Sequence, residues 1–189
     1  MLMEILFMLA APQARDCAID RDALLALDQP AFDHDLEGGW RILAARGCHT
    51  QAADLIRDWR QIHRAQDAIL TWHEGQMRAF AGDYAAAITL FKRSRKPADR
   101  DDFGWNLYVD GSIAFLSGDR TKLRGARAEL AAMAKPDIWA RLQDTDGRPT
   151  STPWPPNLHV LDAFMRCWGM PYREAYSCPK PAMADGAKP

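Results

Sequence analysis

Cys48 and His49 stand side by side just after Gly47, in AARGCHTQAADLI, and by type they are the residues here best suited to covalent chemistry. A cysteine opening a helix has its thiolate stabilised by free amide groups and the helix dipole, and a nearby imidazole can take its proton. A thiol-dependent enzyme or redox sensor needs that arrangement, although neighbouring helix positions seldom pair geometrically. Two other roles compete for the same thiol, a disulfide to Cys17 or an inert packing group. The four cysteines, Cys17, Cys48, Cys167 and Cys178, form two sequence-local pairs, and an even count suits an oxidising compartment. Three connectivities are open, of which Cys17 with Cys48 and Cys167 with Cys178 is the simplest. The absence of any CxxC argues against a zinc ribbon or thioredoxin-type motif.

The five histidines carry less. WHEGQM, residues 72–77, opens like a zinc-protease helix, but the second histidine it needs is Met77. AFDHDLE, residues 31–37, offers Asp33, His34 and Asp35, whose side chains diverge on a helix and cannot meet on one ion. Neither a metal site nor a cofactor is expected. No glycine-rich phosphate loop or nucleophile elbow occurs, so enzymatic activity has no support in the sequence.

The bulk properties agree with a binding role. At 189 residues and a formal net charge of −1, the chain is long enough for one core and has no field to attract nucleic acid or anionic lipid. Its one basic run, KRSRK at 92–96, is followed by DRDD at 99–102 and reads as a solvated loop. Residues 5–11 are apolar but too few to span a bilayer. They resemble the core of a secretory signal peptide covering 1–14, which would place the protein in the periplasm or another extracytoplasmic space. Glu4 and the missing basic residues count against this, and the alternative is a packed N-terminal helix in a cytoplasmic protein.

The elements that would position these residues recur. Gly47, Gly82 and Gly118 interrupt apolar helical segments at intervals of 35 and 36 residues, the length of a helical hairpin. Each can end a helix in the left-handed conformation, and Asp83 and Asp119 can then accept hydrogen bonds from the free amides of the next one. Gly75 and Gly111 precede two of the breaks by seven residues, on a face where backbones can approach closely. Hairpins are predicted over 33–63, 66–95 and 103–134. NLHVLDAFMRCWG, 157–169, repeats the pattern of NLYVDGSIAFLSG, 106–118, and begins a shorter fourth hairpin over 157–178. The Pro-, Asp- and Gly-rich stretch 135–157 is predicted to be an ordered loop with one helical turn near 138–143, and 179–189 a disordered tail.

Gly75, Gly82, Asp83, Tyr84, Ala87 and Phe91 together resemble the tetratricopeptide repeat family; the units around Gly47 and Gly118 match in part. Arg127 stands where that family has an aromatic, and the usual proline after the first unit is missing. The resemblance implies an all-α, right-handed solenoid of three to four antiparallel hairpins that holds a peptide or helix of a partner protein in a concave groove. Carried over position by position, it puts Glu37, Arg41, Trp72, Gln76, Phe80, Tyr108, Ser112 and Phe115 in that groove. The other role open to Trp72, Phe80 and Phe115 is core between adjacent repeats. Glu37, Arg41 and His73 stand where the members that clamp a C-terminal carboxylate have Lys and Asn, and Glu37 would repel one. Trp139 and Trp154 raise the further expectation that the 135–157 loop fills the groove.

Overall fold

A computed structural model describes residues 16–143 and 147–180; the leader expected at 1–14 and most of the expected tail lie outside them. The described residues are all-α, with no strand beyond one isolated bridge between Gln143 and Pro149. The main helices are α3 (His49–Ile62) and two pairs, α4 (Ala68–Phe80) with α5 (Tyr84–Arg93) and α6 (Trp105–Leu116) with α7 (Arg120–Ala132). Ahead of these lie the five-residue α1 (Arg21–Leu25) and α2 (Arg41–Ala45), and after them α8 (Leu158–Arg166) and α9 (Tyr172–Tyr176).

All three glycine breaks use one device. Gly47, Gly82 and Gly118 take φ of 74°, 87° and 70°, the left-handed region that a side chain disfavours. The next amide turns back to a carbonyl five residues earlier: Cys48 to Leu43 at 2.9 Å, Asp83 to Arg78 at 2.9 Å, Asp119 to Ala114 at 2.8 Å. Asp83 then accepts from the Ala86 amide at 3.1 Å and Asp119 from the Lys122 amide at 3.0 Å, so each aspartate opens the following helix. Cys48 stands in the same place but caps nothing with its side chain.

The first unit departs from the hairpin pattern. A π-helical turn over Pro30–His34, a turn through Gly38 and Gly39, and the short α2 replace a continuous first helix. A side chain at Gly39 would lie 2.0 Å from the Phe32 carbonyl oxygen, so the chain folds tightly here where a helix would have run on. The expectation that Glu37 lines a groove from a helix is therefore corrected: it is exposed in this turn.

Burial divides between two clusters. Phe32, Leu43, Leu55, Ile56, Trp59, Leu70 and Met77 form one beneath α1 to α4. Trp72, Phe91, Tyr108, Phe115, Phe164 and Tyr172 anchor the other, from α4 to α9. α4 contributes to both, and Phe80 packs against each. In the 135–157 segment a 3-10 turn spans Asp137–Arg141, and Trp139 and Trp154 pack on Phe103 and on each other, not in the groove.

Gly75 is needed for proximity. A methyl there would lie 2.8 Å from Phe91 Cδ1 and 3.0 Å from Leu90 Cβ, and Phe91 is itself stacked on Trp72 at 4.0 Å. Gly75→Ala should therefore destabilise the fold by about 1–3 kcal/mol, despite its better helix propensity. Gly125, mid-helix in α7, has open space around it, so Gly125→Ala should stabilise by roughly 0.5–1 kcal/mol. Urea unfolding of the two variants measures both signs.

Candidate functional site

Four of the eight residues expected in the groove are buried. Trp72 and Tyr108 are 3% and 2% exposed, Ser112 is fully buried, and Phe115 is 8% exposed. The element beside Tyr108 and Phe115 is α9. Tyr172 and Tyr176 lie one turn apart on it, on one face. Tyr172 meets Phe80 at 5.4 Å, Phe164 at 5.2 Å and Phe115 at 6.2 Å between ring centroids; Tyr176 meets Phe80 at 5.4 Å. The Tyr84 hydroxyl accepts from the Tyr172 amide at 3.1 Å, which fixes where α9 begins. Tyr108 and Phe115 are thus core beside the chain's own C-terminal turn, whereas Trp72 is core between α4, α5 and α6, against Phe91, Trp105 and Tyr108, and Ser112 is buried on α6. This corrects the expectation that they face a partner.

Polar groups follow the same pattern. Ser112 donates to the Tyr108 carbonyl at 2.9 Å. Burial first, then the neighbouring Tyr172 and Tyr176, hold the Tyr108 phenol well above the ordinary tyrosine value. Burial raises Tyr172 similarly; its hydroxyl has no hydrogen-bond partner, and half-buried Gln76 is its polar neighbour.

Both cysteine pairs are disulfides, Cys17 with Cys48 and Cys167 with Cys178, and no described cysteine is free. The thiol that enzyme chemistry at Cys48 would require is bonded to Cys17 and 3% exposed. The second disulfide brackets α9, and Arg166 reinforces it by donating to the Cys178 carbonyl at 3.0 Å. Disulfides of this kind persist in oxidising compartments.

What stays open is the end of the groove. Between the start of α3, the α4–α5 turn and α9 lies a cleft of about 730 Å³, with the Cys17–Cys48 disulfide in its wall. His49 stacks on Phe80 at 5.2 Å, and Thr50, Gln51, Tyr84, Pro171 and Arg173 complete the rim. Thr50, Gln51 and Arg173 are exposed. Among the described residues one arginine and one histidine line this cleft, and no carboxylate does. Of the residues expected in the groove, only Phe80 reaches it.

Arg41 belongs to a different cluster. Asp33, 2% exposed, accepts from Trp40 Nε1 at 2.9 Å and from His73 Nδ1 at 2.8 Å, with Arg41 Nη1 at 3.4 Å. Arg41 also donates to the Asp33 backbone carbonyl and lies over the Trp40 ring at 4.2 Å. Burial alone would raise the Asp33 carboxyl, but His73, Trp40 and Arg41 outweigh it and hold its pKa below the ordinary value. Asp33 and His73 are 40 residues apart, so no local motif announces the pair. Among the described residues no group of three His, Cys, Asp or Glu side chains is placed to hold a metal ion, and no helix is long and apolar enough to cross a membrane.

No family model, curated protein or solved structure matches this chain.

Two outcomes follow from this geometry. A depressed carboxyl stabilises the fold above its unfolded pKa of about 3.9 and loses that contribution as pH falls through the folded value. Asp33→Asn should therefore flatten the acid limb of the melting-temperature profile below about pH 4 and cost about 1–3 kcal/mol at neutral pH. The disulfides span 31 and 11 residues, so removing Cys17–Cys48 by paired serine substitution should cost roughly 4 kcal/mol and removing Cys167–Cys178 roughly 3 kcal/mol. Denaturant titration of the two variants tests that order.

Proposed function

We propose that this protein is a non-enzymatic binding module that takes an extended, acid-bearing segment of a partner protein into the cleft beside the Cys17–Cys48 disulfide, in an extracytoplasmic setting. The observation that carries the reading is the cleft itself, about 730 Å³, walled by Phe80, Tyr84 and His49, rimmed by exposed Arg173 and, among the described residues, free of carboxylates. Rings supply contact area at small entropic cost, and an exposed guanidinium on a rim without acids selects a negatively charged side chain. The reading keeps the tetratricopeptide-like solenoid and its groove but moves the ligand to the end of the groove. Tyr172 and Tyr176 occupy the rest, and an incoming segment would continue the line of α9 from Pro171 outwards. The two disulfides support the oxidising compartment.

The test is selection of displayed random peptides on the full, oxidised chain, followed by fluorescence anisotropy. Enriched peptides should carry Asp or Glu and bind at least about tenfold more weakly to Gln51→Glu/Arg173→Glu, whose far-ultraviolet circular dichroism should be unchanged because both positions are exposed. Peptides that bind the double variant equally well, or no enrichment at all, would overturn the reading.

A further inference from the structure

α3 ends on a basic stripe. Arg57 and Arg60 on α3 and Arg64 in the turn that follows it come together at one recess. Arg64 closes the helix in the left-handed conformation, φ 52°, with the Ala65 amide returning to the Arg60 carbonyl at 2.9 Å. That position favours glycine or asparagine, and the chain carries an arginine there at some conformational cost. α5 brings Arg93 in its last turn to the same place, and α4 brings Glu74. With Gln61 and Gln66 they enclose a recess of about 400 Å³ on a different face from the cleft, sharing no residue with it.

The charges around this recess do not balance. Glu74 pairs with Arg60, both largely buried at 7% and 11% side-chain exposure. Asp54 is taken by Arg57 at 2.9 Å and by Arg78 at 2.7 Å, and Asp58 by Arg57 at 2.8 Å and by Arg21. Three carboxylates therefore answer six guanidiniums, and the two left without an ion pair among the described residues, Arg64 and Arg93, both line the recess. Arg60 Nε is buried with no acceptor, so the one arginine paired inward is also short of a partner. Asp67, the next carboxylate along the chain, does not line the recess. The negative ends of α3 and α5 favour cations nearby, but such a dipole contributes only about 0.3–1 kcal/mol and offers nothing to the outward N–H groups of two guanidiniums.

We propose that this recess is a binding site for a phosphate-type oxyanion, with Arg64 and Arg93 as its principal ligands and the amides of Gln61 and Gln66 as neutral donors. Guanidinium forks match phosphate oxygens geometrically, and an excess of positive charge selects a dianion over a single carboxylate. The ligand is either free phosphate or a small phosphate monoester, which share that chemistry.

Isothermal titration of the full, oxidised chain with inorganic phosphate and, separately, glycerol 3-phosphate tests this, with ionic strength held at about 150 mM by chloride. At least one of the two should saturate below about 20 mM, and Arg64→Gln/Arg93→Gln should weaken it at least about tenfold with an unchanged melting curve. Arg173→Glu, in the other cleft, should leave the binding intact. Equal affinity for both probes assigns the site to the phosphate group alone, and tighter binding of the ester assigns it to a monoester; either supports the site. Saturation by neither probe, or binding that survives in the double variant, overturns it.

Discussion

The rest of the molecule depends on the insertion of Tyr172 and Tyr176 between the rings of α4, α6 and α8. Without α9 the face bearing Phe80, Tyr108 and Phe115 would be an open aromatic surface, costly to leave in water. With it, Trp72, Phe91, Tyr108, Phe164 and Tyr172 become one contiguous core that ties the second, third and last helix pairs together. The Cys167–Cys178 bond and the Tyr84 hydroxyl hold the inserted turn from its two sides. A helix of five residues has almost no intrinsic stability, so α9 exists because of what it packs against and what tethers it.

The N-terminal half is held by different physics. Phe32 and Trp59 stack at 4.7 Å, but around them the chain relies on polar ties to short, irregular elements. Trp59 Nε1 reaches the Leu27 carbonyl at 2.9 Å and His63 reaches Leu25, fastening the α1 region to α3. The buried Asp33 draws Trp40, Arg41 and His73 to one carboxylate. Such a network stabilises only while every member is satisfied, and it specifies one arrangement of the turn through Gly38 and Gly39. The Cys17–Cys48 bond then secures the entering chain to the start of α3.

Where the two halves meet, at Phe80, the packing stops and the cleft begins. A net charge of −1 conceals how unevenly charge is distributed. Among the described residues, one recess has a histidine and an arginine with no acid in its lining, and the other gathers arginines around a single buried glutamate. The two recesses share no residue, so each can be altered without touching the other.

Much of the architecture was legible because its determinants act over four or five residues. A glycine followed by aspartate stops one helix and caps the next wherever it occurs, and so Gly82-Asp83 and Gly118-Asp119 marked their turns in advance. The all-α class follows from those breaks and from the apolar periodicity between them. The cysteine pairs were readable as one simple pairing among three, but spacing could not choose between them. Glu37 sits in an exposed turn and not on a continuous helix because Gly38 and Gly39 follow it, a local signal that overrides the repeat period. The groove was different. Whether Tyr108 and Phe115 face solvent or core depends on Tyr172, whose amide meets the Tyr84 hydroxyl across 88 residues of chain. Helix stops and caps are set by neighbours in sequence, and the chain alone determined them. The filling of the groove, the pairing of Asp33 with His73 and the gathering of arginines from α3 and α5 are contacts between distant segments. Only the tertiary structure decided these, because they exist only once the helices have packed.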